Sequence, residues 1–597
     1  MGTESNQHIG ILDFGGQYAH LIARRTRELG VFSRIYQPDE FAGEEPGLLG
    51  VILSGSPESV GTDSLGLVHL EKLNVPVLGL CFGHQLMAMQ LGGKTARGGT
   101  GEYGACGVEV DLDCPLFQGL QEDQTVWMSH RDEVTRLPAG FRPIASSSEL
   151  VIAGFQSSDN RYFGLQFHPE VSHTQNGIKM LDNFLSICTD DRNWKADDQV
   201  GSLVAMVRKQ ATGRKLLLLL SGGVDSLVAL ALCIEAVGND RILSVHVDTG
   251  FMRKDESKEI AEHLKGLGYS GLEVVDASTT FFEALAGKTE PEEKRKIIGK
   301  LFVDVVNEYV NLDSPEWMLV QGTIYPDTIE SGSTKKADTI KTHHNRVEEI
   351  ERLIEMGRVV EPLADLYKDE VRVLGRQLNL PNHLLDRHPF PGPGLAIRIL
   401  ASNGIPDADF AQEKDRLSDL LASTSLAGDI LPVKSVGVQG DSRTYQHPAV
   451  LWDVGNSTRS WTTLKDVASL AVNRLGTINR LVYSVLPVNP DSLKLKESYA
   501  DRASADLLRE VDALVRKRCR DDEIWQLGVV SLPLFDEYGG QVFVMCPVSS
   551  IDAMTADVFG MDFGELEQLA LEVQSIPGAG LLFYDISRKP PATIEWE

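Results

Sequence analysis

The stretch Leu78-Gly-Leu-Cys-Phe-Gly-His-Gln-Leu-Met87 joins two kinds of local pattern. The apolar run Val75–Cys81 has the composition of a buried strand, and the residues after Gly83 have helical spacing. Cys81 lies at the pivot, with Gly79 and Gly83 in the spacing of a G-x-S-x-G elbow and a thiol in place of the hydroxyl. Glycines permit the tight turn that pushes the side chain clear of the backbone, and the helix N-terminus beyond it favours a thiolate. A second junction of this type lies further on: Lys215–Leu220 reads as a buried strand and Leu227–Val237 as a helix. Between them stands Ser221-Gly-Gly-Val-Asp-Ser226. Two strand–turn–helix junctions predict an α/β protein.

Around Cys81, strands are expected at His8–Gly15, Val31–Gln37 and Leu48–Gly55, with helices after Gln17 and Gly83, which predicts a mostly parallel sheet. A nucleophile needs a base, and the base needs an orienting group. Gly164-Leu-Gln-Phe-His-Pro-Glu170 offers both, since extended geometry would set His168 and Glu170 on one side. The amide of Phe82, and a second donor from the turn at Gly55, are placed for an oxyanion. His84 and His173 read as structural or substrate-edge residues. Over about 180 residues this pattern resembles the class I, triad-type glutamine amidotransferases. The resemblance implies Cys81 as nucleophile on the glutamine amide, His168 as base and Glu170 as its orienter.

The chain has 597 residues, enough for roughly three to four domains. A formal net charge of −28 argues against a nucleic-acid partner, and no apolar run approaches the ~18 residues of a membrane span. The start, MGTESNQ, lacks the basic and apolar regions of a signal peptide, and Asn6 stands where a myristoylation signal wants Ser or Thr. The seven cysteines form no CxxC pair, which fits reduced thiols and a cytoplasmic location.

Ser221, Gly222, Gly223, Val224, Asp225 and Ser226 bring small residues and a helix terminus to one turn, where backbone N–H groups can approach phosphate oxygens. The Walker pattern, which needs Gly-Lys-Ser/Thr, is absent from this loop. SGGVDS is similar to the PP-loop ATP pyrophosphatases, which have a Rossmann-like domain and split ATP between its α and β phosphates. Further stretches are Gly250-Phe-Met-Arg-Lys254, Pro291-Glu-Glu-Lys-Arg-Lys-Ile-Ile298, Lys341-Thr-His-His-Asn345, Arg387-His-Pro-Phe-Pro-Gly-Pro-Gly394 and Lys589-Pro-Pro-Ala-Thr-Ile-Glu-Trp-Glu597. With these, essentially the whole chain resembles the glutamine-hydrolysing GMP synthetase family.

That resemblance implies ammonia made at Cys81 and spent at the second site. The 2-oxygen of xanthosine monophosphate (XMP) attacks the α-phosphate of ATP, pyrophosphate leaves, and ammonia displaces AMP. It implies Mg²⁺ with ATP, held in part by Asp225, and no redox cofactor. It places Arg295, Asp441, Gln526, Lys589 and Glu595 on XMP, with Thr593 and Arg443 as further candidates, and a lid carrying Asp327, Glu330, Lys341, His343 and His344. The alternatives are a regulatory or binding homologue that has lost turnover, and an amidotransferase acting on another nucleotide.

Two later segments resemble one another. Leu431–Val485 and Val529–Ile586 each run through strands, a helix and an aromatic closing strand. Only the first keeps Gln439-Gly-Asp-Ser-Arg443, and only the second leads to the Lys589–Glu597 tail. The short form of the family carries one such module, used for dimerisation; this chain resembles the long form. The expected division is 1–192 amidotransferase, 193–398 pyrophosphatase, and two α+β modules at 399–490 and 491–597. The modules are expected to pair within the chain, leaving a monomer with at most a weak or substrate-promoted dimer.

Overall fold

The structure is a computed structural model. It describes residues 7–61, 66, 68–309, 314–327, 348–386, 390, 392–406, 410–439, 442–454, 459–519, 523–550, 556–587 and 592–597, and all counts are of these. The chain forms two compact units. One holds residues 1–199 with 325–333, and the other holds 200–324 with 334–597.

The first unit is built on a nine-stranded sheet, with strands β1 (His8–Leu12), β2 (Ser33–Tyr36), β3 (Leu48–Leu53), β4 (Val77–Leu80), β5 (Lys94–Val110), β6 (Asp123–Arg136), β7 (Phe141–Ser147), β8 (Gly154–Ser157) and β9 (Tyr162–Leu165). Their order is β2-β1-β3-β4-β9-β8-β7-β5-β6. The half from β2 to β9 is parallel, joined through helices α1 (Ala19–Glu28) and α2 (Phe82–Gln90); α3 (Gly177–Cys188) follows the last strand. The half from β9 to β6 is antiparallel, which corrects the expectation of a mostly parallel sheet. Among the described residues no α-helix lies between β5 and β9, only a single 3-10 turn at Pro115–Phe117, and such short connections favour antiparallel pairing.

In the second unit a parallel sheet runs β12-β11-β10-β13-β14, from β10 (Lys215–Leu219), β11 (Ile242–Asp248), β12 (Leu272–Asp276), β13 (Trp317–Val320) and β14 (Val359–Val360). The strand order reverses beside β10, and ligands of open α/β sheets bind in the crevice at such a point. Helix α4 (Val224–Val237) leaves β10 through the Ser221–Ser226 loop and buries Val228, Leu232 and Cys233. It begins three residues before the expected Leu227, so Val224, Asp225 and Ser226 form its first turn. Two further helices frame this sheet, α5 (Pro291–Tyr309) and α6 (Lys368–Gln377).

Beyond a two-residue pairing of β15 (Ser402–Asn403) with β21 (Glu497–Ser498), the repeated modules share one sheet. Its strands are β16 (Leu426–Ile430), β17 (Ser435–Gln439), β18 (Ser442–Asp453), β19 (Ile478–Ser484), β20 (Lys494–Leu495), β22 (Gln526–Phe535), β23 (Gln541–Ser550), β24 (Ala556–Val558) and β25 (Ala579–Asp585). The path is β16-β18-β19-β25-β23-β22-β20. In the first copy β18 and β19 are parallel, joined through α7 (Trp461–Leu475). In the second, which opens with α8 (Arg502–Arg518), β23 and β25 are parallel, joined through α9 (Phe563–Gln574). At the centre β19 meets β25 antiparallel, with Val482 opposite Asp585 and Tyr483 opposite Tyr584. The copies therefore face each other about a local pseudo-twofold axis, the internal pairing expected from the repeat.

Candidate active sites

Cys81 takes φ 52° and ψ −103°, a conformation a residue with a Cβ rarely adopts. Close packing imposes it. A Cβ on Gly79 would lie 2.5 Å from the Gly83 carbonyl oxygen, and one on Gly83 would lie 2.5 Å from Leu53 Cβ. The first turn of α2 is thus pressed onto β3 and β4. Two backbone bonds pin the elbow: the Cys81 N–H donates to Leu165 (2.8 Å) and the Gly83 N–H to Ser54 (3.1 Å).

His168 and Glu170 sit in a bend after β9 rather than in extended chain, and the bend still brings them together. The imidazole Nδ1 donates to Glu170 Oε1 at 2.7 Å, with both side chains buried. Burial alone would lower the His168 pKa. The Glu170 charge and the hydrogen bonds to Cys81 and Glu170 outweigh it, raising the pKa to about 10. The Tyr18 ring meets the imidazole edge-on with centroids 4.9 Å apart. Gly55 is at the same place: a Cβ there would lie 3.4 Å from His168 Cε1 and 3.9 Å from Cys81 Cβ. Phe82 opens α2 beside the nucleophile.

His84 and His173 are packing residues. His84 is buried and stacked on Phe155 at 4.6 Å, and burial lowers its pKa to about 3, so it stays neutral. His173 lies against Trp127 at 4.6 Å. Burial pushes Cys114 and Cys519 up to about 11, and Cys188 and Cys233 up to about 12, which keeps those thiols protonated. Two residues beside Cys81 escaped the motif reading, Gln85 and Gln166, both buried amides facing the elbow. For Gln166 the available signal was a polar side chain between the apolar Leu165 and Phe167 at the end of a strand; Gln85, on α2 between His84 and Leu86, carried no such signal.

In the second unit the Ser221–Ser226 loop curls at Gly222 (φ 79°), where a Cβ would lie 2.4 Å from Ile260 Cδ1. The Gly223 N–H donates to Ser221 Oγ at 3.2 Å, and Ser226 Oγ donates to the Gly223 carbonyl at 3.0 Å. Gly223 N-caps α4, so the loop presents amides and hydroxyls where the helix dipole favours an anion. Lys368, the first residue of α6, forms an ion pair with Asp225 Oδ2, while Asp225 Oδ1 is buried without a hydrogen-bond partner. Lys368 is 143 residues from Asp225 in sequence, and only the fold reveals it. Among the described residues no three His, Cys, Asp or Glu side chains cluster as a metal cage. One unsatisfied carboxylate oxygen suits an ion that arrives with phosphate ligands of its own.

The tail 592–597 threads between the first module and α5. Arg398, fully buried, donates Nε to Glu595 Oε2 (3.0 Å) and Nη2 to Glu595 Oε1 (2.7 Å), and Gln526 Nε2 donates to Oε1 at 3.3 Å. Thr593 Oγ1 donates to the Val436 carbonyl at 3.0 Å, and Arg480 Nη2 to the Thr593 carbonyl at 2.8 Å. Trp596 is buried beneath Arg480, whose guanidinium lies 4.7 Å from the ring centre. On α5, Lys294 is fully buried, pairs with the Glu597 carboxylate, and donates to the carbonyls of Ala396 (3.1 Å) and Ile399 (3.0 Å). Arg295 donates to Glu292 at 2.8 Å and to the Glu597 carbonyl. The structure therefore brings Arg295, Gln526, Thr593 and Glu595 into one region, with Lys294 and Arg398 as its unforeseen supports. Asp327 belongs with the first unit. Asp441, Lys589, Glu330, Lys341, His343 and His344, together with the Arg443 side chain, lie outside the described residues.

Three family models match: class-I glutamine amidotransferase over residues 10–188, NAD synthase over 196–296, and the GMP synthase C-terminal domain over 515–596. A protein of Leptospira interrogans named probable GMP synthase [glutamine-hydrolyzing] is 43% identical over 99% of this chain and its own whole length. The GMP synthase of Fusobacterium nucleatum is 41% identical over 81% of this chain and 99% of itself, and that of Vibrio vulnificus 40% over 82% and 98%. The latter two are correspondingly shorter than this chain. On this likeness along its full length, the chain belongs to the glutamine-hydrolysing GMP synthase family.

Proposed function

We propose that the chain makes GMP from XMP, ATP and glutamine, with one site in each unit. The observation that carries this reading is the full-length likeness to glutamine-hydrolysing GMP synthases in a chain whose Cys81, His168 and Glu170 stand in catalytic order. The Cys81 thiolate adds to the glutamine side-chain carbonyl, and donors at Gly55 and Phe82 meet the oxyanion. Protonated His168 gives its proton to the departing nitrogen, releasing ammonia. The thioester is then hydrolysed by water, with His168 as base and Glu170 holding the ring.

In the second unit the Ser221–Ser226 amides and hydroxyls cradle the pyrophosphate of ATP. Lys368 adds a positive charge beside it. The XMP 2-oxygen attacks the α-phosphorus, pyrophosphate leaves, and ammonia displaces AMP from C2, losing a proton. Magnesium supplied with ATP would be held in part by Asp225 Oδ1 and would neutralise charge on the leaving pyrophosphate. Arg295, Gln526, Thr593, Glu595 and, in the tail and first module, Lys589, Asp441 and Arg443 hold XMP. The lid comprises Asp327, Glu330, Lys341, His343 and His344.

The reading puts the enzyme in the cytoplasm, where its substrates are made. A homologue without turnover is disfavoured by the assembled triad. The test is XMP-dependent release of pyrophosphate and AMP, in step with GMP and supported by either glutamine or an ammonium salt. ADP and phosphate as products, or another nucleotide outcompeting XMP, would overturn it.

A further inference from the structure

Gln166 directly follows β9 and is completely buried, with its backbone N–H donated to Ala153 at 2.8 Å. Its side-chain Nε2 lies 3.8 Å from Cys81 Sγ, within hydrogen-bond reach of sulfur. A carboxamide turned the other way would put an oxygen there instead, so which atom faces the sulfur decides the chemistry. The surroundings decide it. Gln85 Nε2 lies 2.7 Å from the Asp132 carbonyl oxygen, an atom that only accepts, so the Gln85 atom there is the donor. Its second hydrogen points at Gln166 Oε1, 3.1 Å away. With its oxygen held by Gln85, Gln166 has only its NH₂ left for the sulfur. A backbone carbonyl thus sets one glutamine, and that glutamine sets the next.

The sulfur has an opposing contact. Cys81 Sγ lies 3.5 Å from the Ser129 carbonyl oxygen, to which only a protonated thiol can donate. The Gln166 N–H is a donor, and a donor facing a sulfur anion makes the stronger, charge-assisted bond. Gln166 and the Ser129 carbonyl favour opposite protonation states, and protonated His168, hydrogen-bonded to the sulfur from the segment after β9, acts in the same direction as Gln166.

We propose that Gln166 is a further catalytic residue, an N–H donor on the Cys81 sulfur that sustains the reactive thiolate, and that Gln85 is a positioning residue acting through it. This rests on Cys81 being the glutaminase nucleophile. When sulfur attacks the amide carbon its charge passes to the oxyanion, so the Gln166 contact weakens as the bond forms. Its service is therefore to the population of thiolate rather than to the chemical step, and the benefit is concentrated on the acid side of the pH profile.

The test is alkylation of Cys81 by iodoacetamide across pH, alongside glutamine-dependent turnover, in the full-length protein. Gln166→Met keeps the length and removes the donor. Its alkylation rate should fall about tenfold on the acid limb and return towards wild type above the midpoint, a one-unit displacement. Gln166→Glu, which turns an oxygen towards the sulfur, should displace the midpoint further. Gln85→Met, which frees Gln166 to turn over, should displace it the same way and gives a second route if a Gln166 variant fails to fold. The acid limb of kcat/KM for glutamine should move with the alkylation midpoint. An alkylation profile identical to wild type in folded Gln166→Met, whatever its stability, overturns the proposal. Cys81→Ala separates the two readings: if it still consumes glutamine, the nucleophile has been misassigned, whereas its inactivity beside an unshifted Gln166→Met rejects the relay alone.

Discussion

The Trp461 indole lies flat on the Phe563 ring, with centroids 4.7 Å apart and planes 11° from parallel. Each is the first residue of its helix, α7 in one module and α9 in the other, so the stack joins equivalent points of the two copies. Trp461 also gives its indole N–H to the Met561 carbonyl at 2.7 Å. Because the copies meet within one chain, the face each would otherwise offer a partner is already occupied, at an effective concentration no second chain matches. The protein should run as a monomer in light scattering at micromolar concentration without nucleotide, and a stable dimer there would contradict this. Trp461→Ala should cost about 2–3 kcal/mol in denaturant unfolding, through lost stacking and burial.

Cys81→Ala should abolish glutamine-dependent GMP formation to below about a thousandth of wild type, since no other group can form the thioester. Synthesis from an ammonium salt should persist within a few-fold. Loss of both in a folded variant would break the division of labour between the units.

Asp225→Asn and Lys368→Met should each slow the glutamine and ammonia reactions alike, by about a hundredfold or more, because both need the ATP-splitting step. Pyrophosphate release measured with each nitrogen source checks this. A defect confined to glutamine would mean that the ion pair serves something other than adenylation.

The His168–Glu170 pair predicts a pH dependence with a definite sign. His168 titrates higher in the folded protein than its ordinary 6.5, so the stabilisation from pairing is fully present below about 6.5 and is lost as pH rises through about 10. Glu170→Gln removes the charge that raises it. The alkaline limb of glutamine-dependent turnover should move to lower pH, while the ammonia-dependent profile stays in place. Titration of the imidazole by NMR in both proteins checks the cause directly.

Local features were readable in the sequence because their cause is local. The elbow at Cys81 needs glycines two residues either side, and the buried strand read at Lys215–Leu220 matches β10, a run of leucines leading into the glycine loop. The antiparallel half of the first sheet was missed although a local signal existed: β6 alternates buried and exposed residues, as a strand with one solvated face does, whereas β1, β3 and β4 are near-continuous apolar runs. Lys368, Lys294 and Arg398 were missed for a different reason. Each acts on a residue more than a hundred positions away, and one lysine or arginine in a sequence carries no mark of its partner. Gln166 stood inside a motif already quoted, yet its task depends on which way two amides are turned.

The seam between the modules has a consequence for how the chain must be made. Every residue of β19 is buried, and its outer edge is closed by β25, whose paired residues lie about a hundred positions later. Until β25 is synthesised and docked, β19 presents an apolar, unpaired edge, the kind of surface that recruits a strand from any chain able to supply one. A second copy of the same protein can supply it, so the seam is also a place for strand exchange between molecules. What prevents exchange is reach: the connection from Val485 to Gln526 must be long enough for β25 of its own chain to arrive first. Shortening that connection would turn a self-contained sheet into an entangled dimer with the same pairings made between chains.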